Sequence, residues 1–269
     1  MNTTLPNSPS RPFAVVTGAS SGIGLELARE LCERGHDVLI AAEDPGIYEA
    51  QARLELTGSR VEVLQVDLGN WAGVELLYGR VRELGRPVDV LALNAGIGVG
   101  GEFARETSLA QELKLIQVNV ASTVHLAKLV ARDMVAAKHG KILFTSSVAA
   151  LMPAPLEAVY GASKAFVQSF AESLRSELKD HGVSVTALLP GPTETNFFHR
   201  AGMDHTRVGE SKKDSPAQVA KQGINALLAG RESVIAGSAK NKLFLPLGRL
   251  LPERMKAAMH RRLSEPASH

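Results

Sequence analysis

The sequence predicts an α/β protein: a doubly wound parallel sheet of about seven strands with helices on both faces. Three observations predict it. Short runs rich in Val, Ile and Leu recur along the chain. Between them lie stretches whose apolar residues step by three or four, as one face of a helix does. The strand-like runs are nearly continuous in apolar residues, as strands covered on both faces must be.

Taken in order, the first strand is Phe13–Thr17, and a glycine-rich turn leads from it into a helix over Ile23–Arg34 with Ile23, Leu27 and Leu31 on one face. Val38–Ala42, Val61–Val66 and Val88–Leu93 read as the next three strands. A long helix is predicted over Glu112–Lys138 from Leu113, Ile116, Val120, Val124, Ala127 and Ala131. Lys141–Thr145 is a fifth strand, Ala158–His181 a second long helix, and Val183–Leu189 a sixth strand. Pro216 suits the first turn before a helix over Gln218–Ala229, and Ser233–Ala236 closes the sheet.

Composition bounds the function. The chain has 269 residues, 45% of them hydrophobic, enough for a core without covalent staples. A net charge of +2 and 4% aromatics argue against a nucleic-acid partner. The single cysteine, Cys32, excludes an intramolecular disulfide and reads as a buried hydrophobe on a helix. Residues 1–12 are polar and proline-rich, without a secretory h-region, and are expected to be a flexible arm. No run approaches the roughly 18 apolar residues of a membrane span, so cytoplasmic residence is expected. The eight histidines are scattered, and no metal site is indicated.

In a doubly wound sheet, ligands bind beyond the carboxyl ends of the strands, at the switch point. The chemistry-bearing residues fall there. Gly18, Ser20, Ser21, Gly22, Ile23 and Gly24 join the first strand to the first helix, where free N–H groups and the helix dipole suit a diphosphate. The spacing is G-x-x-x-G-x-G rather than G-x-G-x-x-G. Tyr160 and Lys164 lie four apart on one helix face. An ammonium beside a phenol stabilises the phenolate, making the pair a proton donor to a carbonyl or a base for an alcohol. Alone, such a pair reads more readily as a surface pair on an amphipathic helix. It is not alone: Ser147 and Asn94-Ala95-Gly96 follow predicted strands, and Asn119 lies in the long helix.

Together these pieces resemble the short-chain dehydrogenase/reductase family, in its small single-domain branch. The matching segments are TGASSGIG at 17–24, VDL at 66–68, NAG at 94–96, VNV at 118–120, TSS at 145–147, YGASK at 160–164 and PGPTET at 190–195. The resemblance runs over roughly residues 12 to 236, in the family's order. It implies a Rossmann-like domain over 13–263, with a substrate lid at 196–215 and a short tail at 264–269. It implies NAD or NADP as cofactor, and an alcohol dehydrogenase or carbonyl reductase acting on a small molecule.

By that resemblance, Gly18 to Gly24 line the phosphates and ribose, Asp67 and Leu68 meet the adenine, and Asn94, Ala95 and Gly96 flank its ribose. Pro190, Gly191, Thr193 and Thr195 border the nicotinamide. Tyr160 is the acid/base, Lys164 lowers its pKa and holds the nicotinamide ribose, Ser147 bonds the substrate oxygen, and Asn119 anchors a proton-relay water. Relatives commonly form homodimers or homotetramers through the helices corresponding to 112–138 and 158–181.

Two departures stand out. Leu93 replaces the first Asn of the family's NNAG. Where relatives carry Asp for NAD or Arg for NADP, this chain has Ala42-Glu43-Asp44; Glu43 can bond ribose hydroxyls and repel a 2′-phosphate, so NAD is expected over NADP. A catalytically silent dinucleotide-binding regulator is the alternative; an epimerase-type sugar-nucleotide enzyme is disfavoured by the glycine spacing.

Phe197 and Phe198 in the lid are candidates to contact substrate, Phe197 first. Residues 240–263 are strongly basic, with an apolar stripe of Leu251, Met255, Ala258 and Met259. The favoured reading docks that stripe on the protein and leaves the charged face in water; contact with an anionic membrane is the lesser one.

Overall fold

The computed structural model describes residues 11–238 and 252–267. Seven parallel strands form one sheet: β1 (Phe13–Thr17), β2 (Asp37–Ala42), β3 (Val61–Gln65), β4 (Val90–Leu93), β5 (Gly140–Thr145), β6 (Val183–Pro190) and β7 (Ser233–Ala236). Their order is β3-β2-β1-β4-β5-β6-β7. The chain winds outward through β3, returns past β1, and continues the other way, so the switch point lies between β1 and β4.

Alternation along β1 builds both layers of the core. Ala14 and Val16 face one cluster with Leu27, Leu31, Ile224 and Leu227; Phe13 and Val15 face another with Leu126, Val130, Phe144 and Val167. Burying each such side chain contributes about 1.5–3 kcal/mol. The first layer holds α1 (Gly22–Glu33), α2 (Ile47–Glu55) and α9 (Pro216–Leu228). The second holds α3 (Trp71–Glu83), α5 (Ser122–Ala137) and α6 (Ala158–Leu178). Cys32 is buried in the first layer.

The long helix expected over 112–138 is instead two helices joined by a π turn. Ser108 and Gln111 form a reciprocal capping box that starts α4 (Leu109–Ile116), earlier than periodicity suggested. The π turn, Gln117–Ala121, then carries Asn119 before α5 begins. Inserted π turns recur at functional sites because the extra residue re-aims a side chain. α2 and α3 were not anticipated; Asn70 starts α3 by accepting a hydrogen bond from Gly73 N–H at 2.8 Å.

Beyond β6 lie two short helices, α7 (Phe197–Arg200) and α8 (Arg207–Glu210), in the expected lid. The last helix, α10 (Glu253–Ser264), packs beside α8 and differs from expectation. Its buried residues are Lys256, His260 and Ser264, while Met255, Met259 and Leu263 are exposed. The polar line is docked and the apolar line faces out, because Glu157 offers His260 and Ser264 a buried carboxylate to bind. Leu251, expected in the apolar stripe, lies outside the described residues, as do residues 1–10 of the arm. The expected tail is tied down at its start. Ser264 is buried, Pro266 bridges Thr206, and Ala267 N–H donates to the His205 carbonyl at 2.9 Å.

Candidate active site

At the switch point, the Thr17 hydroxyl accepts from the N–H groups of both Asn94 and Ala95 at 3.0 Å, locking the ends of β1 and β4 together. Gly18 then turns the chain with φ +67°, a conformation open to glycine. A Cβ on Gly24 would stand 2.1 Å from the Gly18 carbonyl oxygen, so only glycine lets α1 approach the turn. No side chain caps α1 at Ser21, so its first N–H groups are left for a ligand. An uncapped helix start over a glycine cradle fits a dinucleotide diphosphate. Asn94 also donates its amide to the Thr17 carbonyl at 3.2 Å, which makes it a brace for this turn.

These elements open onto a cleft of about 930 Å³ along the carboxyl edge of the sheet. Every expected site residue lines it except Asn119. Gly18, Ser20, Ser21, Gly22, Ile23 and Gly24 form one wall, and Glu43, Asp67 and Leu68 lie at the ends of β2 and β3. Asp67 accepts from Gly69 N–H at 2.7 Å, and Leu68 is largely spent on the core. Asn94, Ala95 and Gly96 form the floor, and Pro190, Gly191, Thr193 and Thr195 the opposite wall. The walls nearly touch: the Thr195 methyl lies 2.8 Å from where a Cβ on Gly22 would stand.

Asn119 sits beneath. Its carboxamide accepts from Ile97 N–H at 2.9 Å and donates to the Ile97 carbonyl at 2.9 Å and to Ser163 Oγ at 3.0 Å. It still flanks Lys164: a Cβ on Gly96 would lie 3.1 Å from Lys164 Nζ and 3.2 Å from Asn119 Oδ1.

Ser147 follows β5, accepts from Ala149 N–H at 3.1 Å, and lines the cleft beside Tyr160. The Tyr160 ring lies 5.2 Å from that of Phe197 in the lid. Lys164 Nζ lies 5.8 Å from the centre of the Tyr160 ring and donates to the Thr145 carbonyl at 3.0 Å. Burial pushes the Lys164 ammonium down to about 8. It pushes the Tyr160 phenol above its ordinary value; the Ser147 hydroxyl opposes the rise and the nearby Glu157 adds to it. The direction is opposite to the lowering expected of Tyr160: desolvation is the largest cause, and the Lys164 ammonium is bonded to Thr145.

Glu157, three residues before Tyr160, was missed. Burial raises its carboxyl to about 7, against a hydrogen bond from Ser264 Oγ at 3.1 Å. His260 Nε2 lies 3.5 Å from the same oxygen, and burial lowers its pKa. All three line the cleft. Position on the Tyr160 helix could have flagged Glu157; nothing in the sequence links it to His260 and Ser264. Arg200 is a second omission: its guanidinium reaches Ser21 Oγ at 3.5 Å, across the cleft from the lid. No metal-ligating cluster of three or more His, Cys, Asp or Glu occurs among the described residues.

Residues 12–205 match the sequence profile of the family described as short chain dehydrogenase. The chain belongs to that family. A short-chain type dehydrogenase/reductase of Sinorhizobium fredii is 36% identical over 188 residues, covering 70% of this chain and 72% of the relative. The NADP-dependent 3-hydroxy acid dehydrogenase YdfG of Salmonella typhi is 33% identical, covering 66% and 71%. A short-chain dehydrogenase from Sphingobium yanoikuyae, solved in complex with NADPH, superposes with TM-score 0.78 at 32% identity, covering 83% of this chain and 87% of that one. This member of the short-chain dehydrogenases is therefore an oxidoreductase with a Rossmann-like sheet that uses NAD(P). No helix among the described residues is long and apolar enough to cross a membrane.

Proposed function

We propose that the protein interconverts an alcohol and its ketone or aldehyde, with Tyr160 as general acid and base. The observation that carries this reading is that Ser147, Tyr160 and Lys164 line the same cleft as the uncapped start of α1. The nicotinamide, when bound, supplies or accepts the hydride. The chain's own groups do the rest. Ser147 and Tyr160 present two hydroxyls to the substrate oxygen, which stabilises the charge it gains as a carbonyl is reduced. Tyr160 gives that oxygen a proton in reduction and takes one in oxidation. Lys164, held at the Thr145 carbonyl, brings a positive charge to the floor where the nicotinamide ribose would lie. Asn119 bonds Ile97 and Ser163 through its carboxamide, so we assign it the positioning of the Lys164 side of the floor, with acceptor capacity on its oxygen left for the relay water expected of it. Phe197, its ring tilted against that of Tyr160, covers the apolar part of the substrate. Nothing in the site favours a silent regulator.

For the cofactor, we propose NAD over NADP, since Glu43 and Asp44 line the cleft where a 2′-phosphate would fall. One observation favours the second reading: Lys114 pairs with Glu43 at 3.6 Å and offsets its charge.

Titrating wild type and Tyr160→Phe with NADH and NADPH, then assaying ketones, aldehydes and alcohols, tests both. We expect both proteins to bind NADH more tightly than NADPH, and turnover in Tyr160→Phe to fall by about 10²-fold or more. A well-folded wild type that binds neither dinucleotide would sink the catalytic reading; tighter NADPH binding would sink the cofactor preference alone.

A further inference from the structure

Helix α10 presents Met255, Met259 and Leu263 at 51%, 54% and 52% exposure, four residues apart along one line. Its docking does not use them. It is held by Ser264 and His260 on Glu157, and by Arg207, which donates to the Arg262 carbonyl at 3.0 Å. The apolar line is thus fixed outward by polar anchors.

The charges around it are of one sign in excess. Arg254, Arg261 and Arg262 are exposed on the same helix. The acidic residues at its ends are matched, Glu253 with Lys256 and Glu265 with Arg261 and Arg207. Nearby Glu102 is matched with Arg105. The thirteen residues leading into Pro252, 239–251, carry Lys240, Lys242 and Arg249 and no Asp or Glu. Arginines flanking an outward apolar line are the composition of a helix lying in the plane of an anionic lipid surface.

We propose that α10 docks the protein on an anionic lipid bilayer, with Met255 and Met259 entering the interface and Arg254 and Arg262 meeting lipid headgroups. Charge complementarity selects this occupant: a second copy would bring a second set of arginines against the first. Leu263 borders both the exposed line and the cleft. The cleft mouth therefore opens beside the bilayer, and the substrate is an apolar alcohol or carbonyl compound drawn from lipid. That last step rests on the proposed function; the docking does not.

Co-sedimentation of the full chain with phosphatidylcholine vesicles, with and without phosphatidylserine, tests the docking. Wild type pellets with the anionic vesicles alone, and less as salt is raised. Met255→Gln/Met259→Gln and Arg254→Gln/Arg262→Gln each bind at least tenfold more weakly, with unchanged melting temperature and unchanged NADH binding. Absence of wild-type binding overturns the proposal. Equal binding by the methionine variant also overturns it. So does a drop in that variant's molar mass by light scattering, which would make the stripe a contact between copies. In the substrate arm, wild type reduces a long-chain ketone held in anionic vesicles at least tenfold faster than the methionine variant, with equal rates on a water-soluble ketone. Equal rates on the vesicle-held ketone overturn the lipid-substrate step. Vesicle binding by a wild type that turns over no ketone upholds the docking and counts against the proposed reaction instead.

Discussion

Tyr160 and Lys164 are one helical turn apart, yet burial moves their protons in opposite senses, up for the phenol and down for the ammonium. Both shifts favour the uncharged form, as a dry cleft must. The consequence is a pH limit set by Lys164. Below about 8 it is an ammonium; above that it loses the charge it brings to the cleft floor. We predict that kcat/KM for carbonyl reduction falls as pH rises through about 8, and that Lys164→Arg moves this fall upward while Lys164→Met abolishes it at a lower overall rate. A pH–rate profile of the three proteins is the check. At this scale the sequence was informative, because groups that act on a cofactor must sit where strands end, and those positions can be read from apolar runs. Glu157 escaped because its environment is made by His260 and Ser264, more than a hundred residues away.

Elements were legible in proportion to how much of their surface is apolar. The seven strands, buried on one or both faces, were found to within two residues or so. α2 buries only Ile47, Ala50 and Leu54, and α3 carries Gly73 and Gly79, so neither announces itself by periodicity or propensity. The π turn was hidden for a different reason: one inserted residue barely disturbs a three-or-four spacing, yet it sets Asn119 against Ile97. α10 was seen, but its docked face was inverted, because amphipathicity cannot say that a buried carboxylate waits elsewhere. The junction of α10 with α6 carries its own pH dependence. The Glu157 carboxyl, normally near 4.5, is raised to about 7 in the folded chain. A raised folded value means the contribution is fully present below 4.5 and lost as pH rises through about 7. His260, lowered in the folded chain, acts oppositely, losing its contribution as pH falls below its ordinary range. Melting temperature measured against pH is expected to decline across the rise from 4.5 to 7 in wild type and to decline less in Glu157→Gln, which cannot ionise.

For the whole molecule, the parallel sheet with a helical layer on each face followed from the alternation of runs, whereas association did not. Leu109, Leu113 and Ile116 on α4 and Phe166 on α6 are exposed in the single chain. Burying such side chains against a second copy favours a homodimer or homotetramer through these helices. Light scattering is expected to give a molar mass two or four times that of the chain. Leu113→Ser combined with Phe166→Ser is expected to lower it, with the melting temperature falling in step. A monomeric wild type would remove the expectation.

The family match ends at residue 205, whereas Val208, Ser211, Lys212, His260, Leu263 and Ser264 line the same cleft from beyond it. On the proposed function, part of the wall that would meet substrate thus lies beyond the stretch that carries the proposed hydride machinery. That machinery is constrained by strand ends and glycines that tolerate no change. The wall includes a helix fastened through a few polar contacts, so on that proposal changes at the carboxyl end are expected to alter what the scaffold accepts as cargo before they alter the reaction.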